Sequence, residues 1–552
     1  MKHQDVNQSD VSGGELSAGC RGLSAGRKAR VRAGVFGAAC ALAVGAACGI
    51  AQAQVRIAQW NITNYSSGRV SDLQQCFYGT FSGRSMSPDL IVVEEMLGAS
   101  SVTNLLNILN GAPGSPGDWA AAPFVANGGD TDNAMFYRTS RFTYLGVVTL
   151  SEGTGLSGPP RDNQRWQVRL AGYSGAGAEF YIYAGHWKAQ ESGSGDDNRR
   201  LLEAQRIRDD AATLPAGAHY IFGGDTNEQS STTAAYQAMV SAGAGQFLDP
   251  INTPGTWNNN GSFRFVHTQD PFGSGGMDDR HDQLLISATL RNQQGLDYMP
   301  GAPGGNIFAA YSTSTWNDSN HSYRAWGNDG TSFNLPLTTT GNTMVGPTIA
   351  QALINSTGGA TGHLPVFLDL QVPAKVNAPA PIHFGVVSVG ASSPQRTLTV
   401  TNSANVALYS KDGTGWGIDA LTYTLSASAG FTAPGGTFNE SASAGSNAHT
   451  LTMSTLTPGC KTGTVTINSD DPDTPARVVP VKGLVVTGFA PVVSAGDYDV
   501  NGDCQVNVED LYVWYAGNTD VNLDGSVNAT DGTYLKDGLR SNEVTDMTAG
   551  RR

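Results

Sequence analysis

The feature that most constrains the fold is a series of short apolar segments that each end in or just before a glycine or a polar residue. They occur throughout residues 54–372, and they read VRIAQWNI, PDLIVVEE, NAMFYR, RWQVRLAGY, EFYIYAGHW, HYIFGGD, HDQLLIS and LPVFLDLQV. Each is rich in Val, Ile, Phe or Tyr, as is typical of β-strands. The abundance of glycine, 69 residues, and the low charged fraction, 14%, also favour a β-rich protein with many turns.

One segment between these strands has helical periodicity. Residues 198–214 predict a helix, and Asp196 or Asp197 can cap its start. Its apolar residues recur at spacings of three and four: Leu201, Ala204, Ile207, Ala211 and Leu214. Strands with an intervening helix predict the α+β class, as a sandwich of stacked sheets covered by helices.

The N-terminal segment, residues 1–53, is interpreted as a signal peptide. Basic residues precede an apolar run, AGVFGAACALAVGAACGIA, and Ala51-Gln52-Ala53 fits a cleavage site. Cleavage would leave Gln54 first, and we expect a secreted or cell-surface protein without stable membrane insertion. The alternative is an uncleaved membrane anchor, since the run is about long enough to span a bilayer.

The 552 residues are too many for one hydrophobic core. After residues 1–53 we predict three domains: 54–372, 381–486 and 497–540. Cys76, Cys460 and Cys504 fall in three different domains, so no domain has an internal disulfide partner. We therefore expect stability to come from core size or bound metal.

The formal net charge of −14 excludes a surface that coats polyanions generally. Any phosphate substrate must instead be held locally, by a metal or a few arginines.

Residues 381–486 change to alternating strands alone, such as RTLTVTNS and GTVTINSD, after a linker marked by Pro373, Pro379 and Pro381. This pattern predicts a small antiparallel, all-β sandwich. The segments resemble immunoglobulin-like repeats, and the resemblance implies a spacer or adhesion unit.

Residues 497–540 contain an internal repeat, DVNGDCQVNVED at 499–510 and DVNLDGSVNATD at 520–531. Both copies place oxygen ligands where an EF-hand loop does, with a backbone carbonyl at position 7. The predicted Ca²⁺ ligands are Asp499, Asn501, Asp503, Gln505, Asn507 and Asp510 in the first loop, and Asp520, Asn522, Asp524, Ser526, Asn528 and Asp531 in the second. The alternative is a pair of polar Asx-turns.

The repeat resembles the dockerin type I module. The resemblance implies a small helical calcium module and a cohesin-like docking partner. Cys504 stands at position 6 of the first loop, where the family has glycine, whereas Gly525 supplies it in the second. Calcium binding is therefore predicted more firmly for the second loop.

Polar groups stand at the ends of several predicted strands of residues 54–372, directly after a strand or, for the last two listed, at its start. They are Asn61, Glu94 and Glu95, His186, Asp225 and Asn227, Asp282 and His363. Each alone fits a structural role, but together they supply what metal-assisted cleavage of a phosphate ester needs. One carboxylate holds a divalent ion, a second orients water, and histidine steadies or protonates the phosphoryl oxygens.

The ordered segments QWNI, PDLIVVEEM, NAMFYR, GHWKAQ, GGDTNEQ, DDRHDQLLIS and GHLPVFLDL resemble the endonuclease/exonuclease/phosphatase superfamily, the deoxyribonuclease I-like enzymes. HTQD at 267–270 and GNDG at 327–330 are similar to a subgroup of secreted nuclease-like proteins. The resemblance implies a four-layer α/β/β/α sandwich and a magnesium- or manganese-dependent phosphoric ester hydrolase.

The resemblance also implies residue roles. Asn61 and Glu95 would form the magnesium site, and Glu94 is left out because the family has glutamine there. Asp225 would position or deprotonate water, with Asn227 orienting Asp225 or the phosphate. The remaining roles are as follows: His186 contacts the phosphoryl group or acts as general acid, Asp282 pairs with His363, and Arg165 either grips phosphate or is a surface arginine on a strand.

One departure affects activity. The family motif Ser-Asp-His-x-Pro-Val reads Thr361-Gly362-His363-Leu364-Pro365-Val366 here, so a carboxylate is absent. The prediction is a nuclease acting on DNA or RNA. The alternatives are a phosphatase or sphingomyelinase-like hydrolase of small or lipid phosphate esters, or a degenerate surface binding or scaffold protein.

Overall fold

The computed structural model describes residues 54–126, 131–150, 161–189, 194–273, 275–410, 413–487, 500, 507–517, 520–522 and 526–537. The predicted signal peptide, residues 1–53, lies outside the described residues. Among the described residues, no helix combines the length and apolar character needed to cross a membrane.

Residues 54–372 form two mixed sheets. The strands of the first are β1 (Val55–Tyr65), β2 (Leu90–Met96), β3 (Trp119–Ala121), β4 (Asp132–Arg138), β11 (Asp297–Tyr298), β12 (Arg324–Ala325) and β13 (Val366–Gln371). The strands of the second are β5 (Phe142–Leu150), β6 (Asn163–Leu170), β7 (Glu179–His186), β8 (His219–Asp225), β9 (Phe247–Leu248) and β10 (Asp282–Ser287). The orders are β11-β13-β1-β2-β4-β3, with β12 also beside β13, and β5-β6-β7-β8-β10-β9.

The helices are α1 (Val70–Tyr78), α2 (Ala99–Gly111), α3 (Ser194–Ala211), α4 (Ala234–Val240) and α5 (Gly346–Asn355). The core between the sheets includes Ile57, Val92, Val168, Ile182 and Leu284. A second core joins the first sheet to α1, α2 and α5, and a third joins the second sheet to α3 and α4. The predicted mixed α and β class is confirmed, with helices outside both sheets.

Helix α3 starts earlier than predicted. Asp196 and Asp197 lie in its first turn rather than before it, and they pair with Arg199 and Arg200 three residues on. Local ion pairing in the first turn, where the helix dipole favours carboxylates, extends the helix beyond its apolar pattern.

Residues 374–487 form two further sheets. Their strands are β14 (Val376–Asn377), β15 (Ile382–Ser388), β16 (Gln395–Asn402), β17 (Leu421–Ala427), β18 (Phe431–Thr432), β19 (Thr437–Glu440), β20 (Asn447–Met453), β21 (Gly459–Ser469) and β22 (Ala476–Val486). The orders are β14-β16-β20-β18 and β15-β22-β21-β17-β19, and α6 (Val406–Tyr409) follows β16. The two sheets share one core that includes Phe384, Val400, Leu451 and Val479.

Three expectations about this sandwich are wrong. It is not wholly antiparallel, because β15 and β22 pair in parallel. The expected linker is not free, since Ala374, Val376 and Ala378 are buried and β14 pairs with β16. Cys460 is disulfide-bonded, so stability does not rest on core size and metal alone. Cys76 is free and buried.

The sandwich packs against the two-sheet domain at the loop that precedes β7. The backbone N–H groups of Ser174 and Gly175 donate to Asp473 Oδ1, at 2.8 and 2.7 Å, and Lys375 Nζ lies 2.8 Å from Asp473 Oδ2. Tyr409 Oη donates to the carbonyl of Ala171 over 2.8 Å, and its ring joins the core between the two sheets. The contacts lie at the start of β7, whereas His186 lies at its end.

The described tail residues form a small core of Trp514, Val521 and Leu535, with α7 (Val508–Gly517) and a second helix at 529–537.

Candidate active site

The polar strand ends meet at one edge of the paired sheets. β1 and β2 are parallel, as are β7 and β8, so their carboxyl ends share an edge. β10 and β13 run antiparallel to β8 and β1, so Asp282 and His363 stand at the starts of these strands at the same edge. The sheet topology therefore brings together side chains from six separate segments.

Two glycines at the end of β8 permit this close approach. A Cβ on Gly223 would lie 3.0 Å from Val92 of the opposite sheet, and one on Gly224 would lie 2.1 Å from the Gly185 carbonyl oxygen. A Cβ on Gly224 would thus clash with backbone, whereas one on Gly223 would press against the Val92 side chain. The Gly-Gly-Asp sequence thus lets Asp225 emerge where both sheets and strand β7 converge.

Asn61 is the centre of the cluster. Its Nδ2 donates to Glu95 Oε1 over 3.0 Å and to Asp225 Oδ2 over 2.9 Å, and its Oδ1 accepts from the backbone N–H of Thr63 over 3.1 Å. Asn61 is fully buried. One amide therefore ties the first sheet to the second.

Two imidazoles flank Asp225. His186 Nε2 lies 3.6 Å from Asp225 Oδ2 and 3.8 Å from Glu95 Oε1, and His363 Nε2 lies 3.5 Å from Asp225 Oδ2. His363 Nδ1 is 2.8 Å from Asp282 Oδ2, the pairing expected from the sequence.

The surroundings shift the pKa values of these groups apart. Burial opposes ionisation of Asp225, but His363 and His186 outweigh it and hold the pKa of Asp225 below its ordinary value. Burial also disfavours the His363 cation, yet Asp282 and Asp225 raise the pKa of His363 to about 10. Burial lowers the pKa of His186. The site at neutral pH thus offers an ionised carboxylate, an imidazolium and a neutral imidazole.

Backbone strain accompanies the site. Glu95 has φ 61° and Asn227 has φ 51°, both in the left-handed region that costs energy for residues other than glycine. The backbone N–H of Asn227 donates to Asp225 Oδ1 over 3.1 Å, while its Nδ2 donates to the Trp187 carbonyl over 3.1 Å. Asn227 therefore orients Asp225 through its backbone, and its amide fixes the segment after His186.

Glu94 lies beneath the cluster. Gln59 Nε2 donates to Glu94 Oε2 over 2.7 Å and to Asp282 Oδ1 over 3.1 Å. Complete burial raises the pKa of Glu94 well above its ordinary value. A protonated Glu94 resembles in charge and shape the glutamine that the family resemblance implies at this position.

Arg165 does not join the cluster. Its Nη1 pairs with Asp210 Oδ2 of α3 over 2.7 Å, on the helix-covered face of the second sheet. Trp166 and Val168, which alternate with Arg165 and Gln167 along β6, face the core between the sheets. Arg161 is nearer to the site, since its Nη1 donates to the carbonyls of His186 and Trp187 over 3.3 and 3.2 Å.

His281 also belongs to the site. It directly precedes Asp282, its ring centroid lies 6.5 Å from that of His363, and its side chain is buried. Neither Arg161 nor His281 was identified from the sequence, although DDRHDQ places a histidine beside Asp282.

The HTQD and GNDG motifs support the site rather than enter it. Asp282 N donates to Thr268 Oγ1 over 3.1 Å, and Gln269 forms a β-bridge with His363. Asn328 Nδ2 donates to the His267 carbonyl over 2.7 Å. These contacts hold the starts of β10 and β13 in register.

Gly362 has no room for a side chain in this structure. A Cβ there would lie 2.3 Å from Thr357 Cγ2 and 2.6 Å from Thr357 Cβ. The aspartate that the family resemblance implies at this position would therefore clash with Thr357.

The residues present fit a divalent cation. Among the described residues, no three His, Cys, Asp or Glu side chains form a ready-made metal cage. Instead, carboxylate oxygens of Glu95 and Asp225 converge on the amide nitrogen of Asn61, which occupies the position of a positive group. Glu95 Oε1 and Asp225 Oδ2 lie on either side of that nitrogen, and carboxylate oxygens are the ligands that Mg²⁺ or Mn²⁺ prefers.

The predicted calcium loops are described in part; Asp499, Asn501, Asp503, Gln505 and Asp524 lie outside the described residues, as does Cys504. In the second loop Asp531 Oδ2 accepts from the Asn528 N–H over 2.7 Å, and Oδ1 accepts from those of Val521 and Asn522 over 3.0 and 3.2 Å. In the first loop Asp510 Oδ2 accepts from the Asn507 N–H over 2.8 Å. Asp520 and Ser526 are also among the described residues.

No protein-family model and no curated protein matches the sequence. Among solved structures, the human Nocturnin catalytic domain with bound sulfate is 12% identical over 58% of this chain and 95% of its own, with a TM-score of 0.32. D. rerio TDP2 complexed with single-strand DNA product is 13% identical over 58% and 99%, with a TM-score of 0.35. SmcL is 13% identical over 45% and 88%, with a TM-score of 0.32. At this similarity the function has to be argued from the site itself.

Proposed function

We propose that the protein is a metal-dependent phosphodiesterase that hydrolyses a phosphate diester with water. The observation that carries the proposal is the convergence of Asn61, Glu95 and Asp225 with two imidazoles at one edge of the sheets. The contacts support the roles proposed for Asn61, Glu95 and Asp225, whereas Arg165 lies outside the cluster.

Asn61 and Glu95 would hold Mg²⁺ or Mn²⁺. The bound cation supplies neutralisation of charge on a phosphoryl oxygen. Glu95 is fixed for this role by the Asn64 N–H, which donates to its Oε2 over 2.7 Å.

Asp225 receives the attacking water. Its carboxylate accepts a hydrogen bond from the water and takes one proton as the water oxygen bonds to phosphorus. The proton on Asp225 passes to the neutral His186 ring, whose Nε2 is 3.6 Å from Asp225 Oδ2. The imidazolium formed in this way protonates the leaving oxygen as the ester P–O bond breaks, so both groups return to their starting states. The products are a phosphomonoester and an alcohol.

His363 contributes charge. The cation held between Asp282 and Asp225 is suited to donate a hydrogen bond to a phosphoryl oxygen. Such preorganised donors stabilise the charge that develops in the transition state.

The substrate class within the proposal is nucleic acid, DNA or RNA. The competing class is a small or lipid phosphate ester, which the net charge of −14 favours because nucleic-acid enzymes often carry basic grooves. We also propose export through residues 1–53, Ca²⁺ binding by the loops at 499–510 and 520–531, and docking of the tail to a cohesin-like partner.

The test uses purified protein with plasmid DNA, RNA, sphingomyelin and inositol phosphates, each with Mg²⁺ and with EDTA, beside an Asp225→Ala control. We expect EDTA-sensitive cleavage of at least one diester that Asp225→Ala lacks. Equal behaviour of both proteins on every substrate would overturn the proposal and leave a binding or scaffold role.

A further inference from the structure

His281 is a buried group for which the hydrolytic scheme above has no use. It is 5% exposed, and within the described part of the chain neither of its ring nitrogens has a hydrogen-bond partner. An unpaired polar group in a protein interior costs free energy, about 1–3 kcal/mol in mutational data. Such a group in a site is most simply explained by a partner that arrives with the ligand.

A structural histidine in the same domain provides the contrast. His267 is equally buried, but its Nε2 faces the Trp257 carbonyl at 3.0 Å and its Nδ1 faces the Met277 carbonyl at 3.3 Å. His267 begins the HTQD segment, and His281 lies fourteen residues further on in the same domain. Burial alone therefore does not leave an imidazole without partners here.

The surroundings of His281 are those of the reaction centre. Its Nε2 lies 3.8 Å from Asp279 Oδ1, which also has no hydrogen-bond partner within the described residues. The charges that act on the ring, besides Asp279, are those of Asp225, His363 and Asp282. Asp279 and His281 thus form a looser second carboxylate–imidazole pair beside the tight pair of Asp282 and His363.

We propose that His281 binds the phosphoryl group of the substrate, with Nε2–H donating to Asp279 and Nδ1–H donating to a phosphoryl oxygen. The inference rests on the proposed phosphodiesterase function. The bound anion completes the partners of both ring nitrogens and draws Asp279 and His281 together.

Burial lowers the pKa of His281 in the empty site, so the ring is neutral there at pH 7. A neutral imidazole carries one N–H, whereas the proposed contacts need two. Binding of a phosphoryl anion beside Asp279 therefore adds a proton to His281.

The test is a titration of the full chain, labelled with ¹⁵N-histidine, with inorganic phosphate in the presence of Mg²⁺. We expect the ring ¹⁵N resonances of His281 to move toward those of an imidazolium, and His281→Asn assigns them by their disappearance. His449, whose Nε2 contacts Tyr423 Oη over 2.6 Å in the sandwich, is the internal control and stays in place.

Two variants separate binding from folding. His281→Leu removes both nitrogens and is expected to weaken phosphate binding by about tenfold or more, the value of a hydrogen bond to a charged group. His281→Asn places an amide nitrogen where Nδ1 was, so it retains most of the affinity. An unchanged resonance of His219, a buried histidine in β8 of the same domain, shows in each variant that the two-sheet domain remains folded.

The inference is overturned if His281 resonances stay fixed while those of His186 or His363 move, if no histidine responds to phosphate, or if His281→Leu binds phosphate as tightly as the parent protein. The proposed function fails separately if phosphate moves His281 but no diester is hydrolysed. Conversely, Asp225-dependent hydrolysis that His281→Leu leaves unchanged refutes the role of His281 alone.

Discussion

The two ends of the two-sheet domain bury carboxylates in opposite ways. At the end that contacts the sandwich, Asp369 pairs with Arg56 at 2.7 Å, and Asp89 pairs with Arg138 and Arg141 at 3.0 and 3.2 Å. At the other end, the described ion-pair partners of Glu95, Asp225 and Asp282 are imidazoles. We call these the arginine end and the imidazole end.

The difference separates a structural task from a chemical one. A guanidinium neutralises a buried carboxylate permanently, because it does not lose its proton. Imidazoles and amides neutralise only in part, which leaves negative potential where a divalent cation can bind. The arginine end therefore stabilises the fold, while the charges of the imidazole end fit the proposed binding of a cation and the proposed proton transfer.

The largest expected effect concerns activity at the imidazole end. Asp225→Asn removes the group that receives the water proton, and we expect kcat/KM for a phosphodiester to fall by about 10³-fold or more. The measurement is steady-state hydrolysis of bis(p-nitrophenyl) phosphate with Mg²⁺. Asp369→Asn is the matched control at the arginine end and keeps its activity per folded molecule. Retention of a tenth of the activity by Asp225→Asn would contradict the assignment.

The reciprocal effect concerns stability at the arginine end. Asp369→Asn leaves the Arg56 guanidinium buried without its counter-charge, and we expect the free energy of unfolding to fall by about 3–5 kcal/mol. Urea denaturation followed by circular dichroism measures it, with Glu95→Gln as the comparison. The two ends would not differ as described if both variants lost the same amount of stability.

Stabilisation by bound Mg²⁺ should also distinguish the imidazole end from the arginine end. At one hundred times its dissociation constant, a ligand bound only by the folded state adds about 2.7 kcal/mol to stability. We expect Mg²⁺ to stabilise the parent protein and Asp369→Asn alike, but not Glu95→Gln. Thermal unfolding at constant, saturating Ca²⁺ keeps the contribution of the tail fixed. Equal stabilisation of all three proteins would place the Mg²⁺ site elsewhere.

The smallest effect tests the packing around His363. Gly362→Ala forces a methyl group against Thr357, and we expect a loss of about 1–3 kcal/mol. In a Thr357→Gly background the added cost should be smaller, which a double-mutant cycle measures. For the same reason, Gly362→Asp restores no carboxylate function unless Thr357 is also shortened. Additive costs in the cycle would show that the two residues do not compete for space.

Much of the fold could be predicted because strand composition and strand ends are local signals. The segments around Ile57, Val92, Ile182 and Leu284 are short β-type runs, and their pairing brings together polar groups that follow them directly. Residues at strand ends lie at the edge of a sheet whatever conformation the connecting loops adopt. The prediction of the strands and of the mixed fold class needs only these local signals and no knowledge of distant contacts.

What the sequence did not reveal depends on direction and on distant contacts. Arg165 is a candidate phosphate ligand by residue type alone. However, the alternation of Arg165 and Gln167 with the apolar Trp166 and Val168 already implies that Arg165 points away from the core. His281 lies in the irregular segment directly before β10, so its orientation does not follow from strand alternation. The contact between Thr357 and Gly362 depends on the path of the loop that joins them, which residue composition does not reveal.

The parallel pairing of β15 with β22 has a mechanical consequence. The chain enters the sandwich near the two-sheet domain, and after Val486 it leaves from the far end, because Ser388 and Val486 are partners at the ends of strands that run the same way. A force applied between the start of β15 and the end of β22 would therefore load these interstrand hydrogen bonds in shear, so that they share the force instead of opening one after another.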